Sequence, residues 1–211
     1  HLHLVTHDDT AAVEGTWSSL SLSEISPGNS DLTFTVTESD VGTGLYVKDE
    51  STTPLPHVLG YAYPGAGDDY VILGDITFEN TSTELGFLAR GNSATKEGYV
   101  LSLDPTTSYF KLVKSTPSGS ETLVSHEVVD LTIAVDDTFQ IELQIHGSSM
   151  VGKLYDSEGT LLDTIETTDG TYRTGCIGTW AAKRSTAAVE GTWSNVNLIT
   201  PKNQVDGYRI E

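Results

Sequence analysis

Apolar and polar residues alternate with a period of two along most of this chain. In residues 139–146, Phe139, Ile141, Leu143 and Ile145 fall on one face and Gln140, Glu142, Gln144 and His146 on the other. That pattern predicts a strand with one side in a core and the other in water. Related patterns predict strands over 32–37, 45–47, 75–79, 86–90, 99–103, 109–114, 151–155, 161–165, 175–181 and 191–198, punctuated by Gly, Asp, Asn, Ser and Pro. Turns at 156–159 (DSEG) and 168–170 (TDG) supply the positive φ angles that tight hairpins need. No stretch sustains a 3.6-residue apolar period, so little helix is expected. The chain therefore reads as all-β, an antiparallel two-sheet β-sandwich of the jelly-roll kind.

Within this series one segment returns. TAAVEGTWS at 10–18 recurs unchanged at 186–194, and so long an identity implies duplication. Both copies run on into alternating residues, LSL at 20–22 and VNL at 196–198, so both read as the same closing strand. Two explanations stay open. The first copy is the last strand of a preceding module in a tandem array, or it is an extra strand that adds to a sheet edge of its own domain or of an identical subunit. Val13, Gly15, Trp17 and Trp193 are the candidate assembly residues. The chain divides into an extension at 1–30 carrying the copy, a jelly-roll domain at 31–200 and a tail at 201–211.

Composition narrows the partners. Thirty acidic residues against 11 basic ones give a net charge of −19 over 211 residues. A field of that sign repels nucleic-acid phosphates and anionic lipid headgroups. No apolar run approaches the roughly 20 residues that span a bilayer, so no membrane insertion is expected. The chain is 37% apolar and 19% charged, too apolar for a disordered acidic chain. The only cysteine, Cys176, excludes an internal disulfide and a thiolate metal cluster. A first residue other than Met suggests a removed leader or upstream region, hence an extracellular protein, secreted or on the cell surface. In a saline extracellular setting counterions would screen the self-repulsion of so acidic a surface.

From about residue 86 onward the order of segments resembles the laminin-G-like branch of the concanavalin A-like lectin/glucanase superfamily. The matching pieces are 86–92 (GFLARGN), 98–104 (GYVLSLD), 110–114 (FKLVK), 123–125 (LVS), 143–147 (LQIHG), 154–159 (LYDSEG), 175–178 (GCIG) and 191–196 (GTWSNV). The resemblance implies a jelly roll of two curved sheets, commonly with a structural Ca²⁺, that meets sugar or protein ligands on one face or at the rim loops.

No catalytic constellation emerges. Glycosidases of this superfamily need paired carboxylates on one strand face, whereas Glu158, Asp163 and Glu166 straddle a hairpin turn. Gln144-Ile145-His146 and Tyr109-Phe110-Lys111 look like strands of alginate-lyase jelly rolls, but in reversed order. A copper brace from His1 with His3 or His7 and His57, His126 or His146 lacks the Pro-rich start and disulfides of such enzymes. Calcium is the better candidate cofactor, since loop carboxylates are hard oxygen ligands; Asp68, Asp69, Asp104, Asp136 and Asp137 are the candidates. For sugar, which wants aromatic faces and polar forks, the candidates are Tyr46, Tyr61, Tyr63, Trp180 and Arg90. The function this favours is a noncatalytic carbohydrate-binding or adhesion module that meets a glycan or protein on a cell surface or matrix. The alternative is a self-assembling filament or surface-layer subunit that uses the copied strand, with a polysaccharide-active enzyme behind both.

Overall fold

The structure is a computed structural model. It describes residues 19–24, 32–39, 42–49, 57–61, 69–92, 95, 97–184 and 189–199, with side chains from Asp69 onward except Lys183. The described residues contain strands and turns, and every paired strand is antiparallel.

One sheet has eight strands. These are β1 (Ser19–Glu24), β2 (Leu32–Ser39), β3 (Gly42–Asp49), β5 (Tyr70–Thr77), β10 (Thr138–His146), β11 (Ser149–Tyr155), β12 (Leu161–Thr168) and β14 (Val189–Ile199). Their spatial order is β1-β2-β3-β14-β5-β10-β11-β12. The second sheet has six: β4 (His57–Tyr61), β6 (Thr83–Asn92), β7 (Glu97–Asp104), β8 (Tyr109–Thr116), β9 (Gly119–Glu127) and β13 (Cys176–Lys183), in the order β4-β13-β6-β7-β8-β9. The two-sheet sandwich expected from the alternation is the one observed. β4 and β9 were not anticipated as strands. Both are edges of their sheet, and β9 is exposed along most of its length, so no buried face imposes alternation there.

The core fills the space between the sheets. β10 contributes Phe139, Ile141, Leu143 and Ile145, all buried, with Gln140, Glu142 and Gln144 turned outward, as the sequence predicted. β5 adds Ile72 and Ile76, β6 adds Leu85 and Phe87, β7 adds Tyr99, Leu101 and Leu103, and β14 adds Val189 and Trp193. Phe78 meets Phe139 edge to face at 6.1 Å. At Gly191 the approach is close: a Cβ there would lie 2.6 Å from Leu85 Cδ2, so the buried Leu85 side chain would have to shift.

Two expectations about this region need correction. Trp193, a candidate assembly residue, is 1% exposed on an internal strand, so its ring serves the chain's own core. Trp180, a candidate for stacking on sugar, is 7% exposed and packs with Leu88 and Val100, leaving no open ring face. Val13, Gly15, Trp17, Tyr63 and Asp68 lie outside the described residues.

Candidate functional site

The hairpin that joins β10 to β11 turns at Gly147 and Ser148, with Gly147 at φ +56° and open space where a side chain would stand. Asp69, one residue before β5, anchors this turn. Its Oδ1 accepts the Gly147 N–H at 2.7 Å, and its Oδ2 lies 2.7 Å from His146 Nδ1. The Gly147 hydrogen bond, against partial desolvation, holds the Asp69 carboxyl below its ordinary range, with the nearby His146 and Arg90 charges adding to it. His146 and Ser149, on either side of the turn, line a cleft of about 370 Å³ together with Asp69, Gln144, Val151 and Ile199 among others. Gln144 and His146 share the outward face of β10 because they are two residues apart.

A smaller hollow of about 190 Å³ is lined by Gly147 and Ser148 of the same turn, together with Arg90, Gly170 and Arg173. Arg90 sits where the β6–β7 register shifts, in left-handed conformation at φ +48°. Its N–H donates to the Tyr70 hydroxyl at 3.0 Å and its Nη1 to the Tyr172 carbonyl at 3.1 Å. Arg90 is 3% exposed, so its position is set by the protein rather than by solvent.

The loop carrying Gly170 and Arg173 is itself held by Asp169. That carboxylate accepts from the Tyr99 hydroxyl at 2.6 Å, the Thr171 N–H at 2.7 Å and Lys114 Nζ at 3.1 Å. Burial alone would raise its pKa; the bonds from Thr171, Tyr99 and Lys114 overcome this and hold it well below the usual carboxylate range. Burial pushes the hydroxyls of Tyr70 and Tyr99 up to about 12, so both stay protonated.

Other sequence candidates are placed by their backbone or by their own partners. Tyr46 lies on β3, its backbone opposite Thr35 and Thr192, and Tyr61 lies on β4 opposite Ile177. Asp104 does not face an open loop as a calcium ligand would. It is 4% exposed, with Oδ2 at 3.6 Å from Lys111 Nζ and 3.0 Å from Arg184 Nε, and Oδ1 accepting from Thr106 at 2.7 Å. Glu84 joins the same network through Lys111 at 3.0 Å, Ser102 at 2.5 Å and Arg184. Two cations already neutralise these two carboxylates. Asp137 accepts the Ala134 N–H, and Asp136 is at φ +69° in the same exposed turn. Among the described residues no three His, Cys, Asp or Glu side chains are grouped to hold a metal. Among the candidate ligands, both oxygens of Asp69 and of Asp104 and one oxygen of Asp137 have partners within the protein.

Of the expected site residues, the structure brings together Arg90 and Asp69. It adds Arg173 and Ser149, which carried no sequence signal, and gives Gln144 and His146 a place that their resemblance to a lyase strand did not. The one usable sign was the outward Gln144 and His146 followed directly by a Gly-Ser-Ser turn.

No family model matches the chain, and no curated protein matches it. Solved structures do. A carbohydrate binding module, CBM66 from Bacillus subtilis, superposes with TM-score 0.55 at 14% identity, over 87% of this chain and 96% of that one. A functionally unknown protein from Saccharomyces cerevisiae superposes with TM-score 0.51 at 10% identity, over 87% of this chain and 97% of that one. The chain shares with both an all-β sandwich fold, spanning nearly their whole length.

Proposed function

We propose that this protein is a noncatalytic carbohydrate-binding module and that glycan occupies the two hollows around the Gly147–Ser148 turn. The observation that carries this reading is the turn itself. One hairpin, fixed by Asp69, borders both hollows: His146 and Ser149 beside its turn line one with Asp69 and Gln144, and Gly147 and Ser148 of the turn line the other with Arg173 and the largely buried Arg90. Sugar hydroxyls are both donors and acceptors, and such a mixed rim answers both. Val151 and Ile199 supply apolar surface for the C–H face of a pyranose ring. The fold held in common with a carbohydrate binding module supports the same reading. The setting we assign is extracellular, with glycan on a cell surface or matrix as partner.

The test is a glycan array with wild-type protein, followed by calorimetry on the best ligand. His146→Ala and Arg173→Ala are each expected to weaken binding by tenfold or more while the melting temperature stays close to wild type. Undiminished affinity in the double variant would place the sugar elsewhere, and no binding across neutral and acidic glycans would remove the reading.

A further inference from the structure

The slot that β14 fills makes narrow demands. Val189 and Trp193 are each 1% exposed, and Gly191 between them has Leu85 where a side chain would go. Thr192 Oγ1 donates to Glu79 at 2.7 Å, and the Trp193 indole N–H donates to the Gly86 carbonyl at 3.0 Å. β3 pairs with one side of the strand and β5 with the other. An occupant must therefore carry an apolar residue, a glycine and a tryptophan at alternate positions, with a hydroxyl between the last two. Val13, Gly15, Thr16 and Trp17 stand in that order and spacing within the repeated segment. The described residues hold one such slot, and the sequence holds two segments with that pattern.

We infer that residues 10–18 are a second β14, and that they enter the β14 slot of another copy of this chain. This is independent of the glycan site. The route in trans follows from β1, which begins directly after the copied segment. Ser19–Glu24 pairs without a break along β2, at the outer edge of the sheet, with β2 and β3 between it and the slot. At the usual strand spacing, the slot is about 14 Å away. Val13–Ser18 match Val189–Ser194 of β14, and Ser18 is bonded directly to Ser19 of β1, so no residue is left over to cross its own sheet. In a second copy the segment meets no such limit, and ladder bonds on two sides supply affinity.

Within one chain the C-terminal strand is the stronger occupant. The identity ends at Ser194, and the next residue, Asn195, takes left-handed conformation at φ +51° where the register with β5 shifts. Its side chain donates to Asp75 at 2.6 Å. The N-terminal copy has Ser19 there, which adopts that conformation less readily than Asn. Exchange is therefore weak in the wild-type chain and becomes complete when the resident strand is handicapped.

The experiment uses the full chain in two pairs of variants: Trp193→Asp against Trp17→Asp/Trp193→Asp, and the milder Gly191→Val against Gly15→Val/Gly191→Val. Circular dichroism reports the fold and light scattering the mass. The expected result, in either pair, is a single variant that keeps the wild-type β signal at twice the monomer mass or more, beside a double variant that loses it. Trp17→Asp alone is expected to match wild type. Single variants that unfold as far as their doubles in both pairs overturn the inference, and so do single variants that stay folded as monomers.

Discussion

The indole N–H of Trp193, on the eight-stranded sheet, donates across the core to the carbonyl oxygen of Gly86 on the six-stranded sheet at 3.0 Å. Much of the contact between the two sheets is apolar and has little directional preference, and the Arg90 N–H to Tyr70 hydroxyl bond also crosses between them. A hydrogen bond between them fixes their relative position, and Gly191 and Leu85 interlock next to it. Trp193→Phe keeps most of the ring and removes the donor. It should cost about 1–2 kcal/mol in urea unfolding, the usual cost of leaving a buried acceptor unpaired; an unchanged midpoint would show that the bond contributes nothing.

Arg90 combines a left-handed backbone with a buried guanidinium. Removing the side chain loses the bond to Tyr172, but only glycine also relieves the backbone. Arg90→Gly should therefore be more stable than Arg90→Ala by about 1 kcal/mol. The two variants differ in this comparison mainly by the Cβ, and equal stability would remove the strain argument.

Asp169 makes stability depend on acid. Its folded-state pKa lies below the unfolded value of about 4, so its contribution is present in full above pH 4 and is lost as pH falls through the lower folded value. Asp169→Asn should be less stable than wild type at pH 7, with the gap narrowing below pH 4. Urea titrations at pH 7 and pH 3 measure this, and a gap of constant size would contradict it.

Lys111 lies between Glu84 and Asp104 in a largely buried network. Burial draws its own pKa down, and the Asp104 charge opposes that. Lys111→Met leaves two carboxylates with Arg184 alone and should cost about 2 kcal/mol, less than for a fully buried pair because the ammonium is partly hydrated. A Lys111→Met/Glu84→Gln variant should recover part of the loss. No recovery would show that the network is not coupled.

Calcium offers a simpler measurement. With Asp69, Asp104 and Asp137 engaged by backbone N–H groups, an imidazole or cations, chelator should leave the melting temperature within about 2 °C. A larger fall would mean that a site exists around residues such as Asp68, outside those described.

Local pattern was sufficient for the strands whose two faces differ. β10 alternates because one side of it touches Ile72, Ile76 and their neighbours while the other touches water, and the sequence records that difference at every second residue. β9 left no such record, because it is exposed along most of its length and has no buried face. The duplication was legible for a related reason, since the buried slot of β14 tolerates few residues and the copy retains them in order.

The candidate site was barely legible. Asp69 and Gly147 are far apart in the chain, and only the packing of β5 against β10 brings the carboxylate to the hairpin turn. Arg90 was visible as a charged residue in a strand, but not the register shift that aims it, nor Arg173 beside it. Trp180 shows the converse: its type suggested a sugar platform, and its burial beside Leu88 and Val100 withdrew it. By itself, then, the sequence determined the all-β architecture, most strands, the acidic composition and the repeated segment, because periodicity, charge and identity are properties of neighbouring positions. Which side chains face one hollow, which carboxylates are already neutralised and which tryptophan is buried were decided only by the tertiary structure, because they depend on contacts between strands remote in the chain.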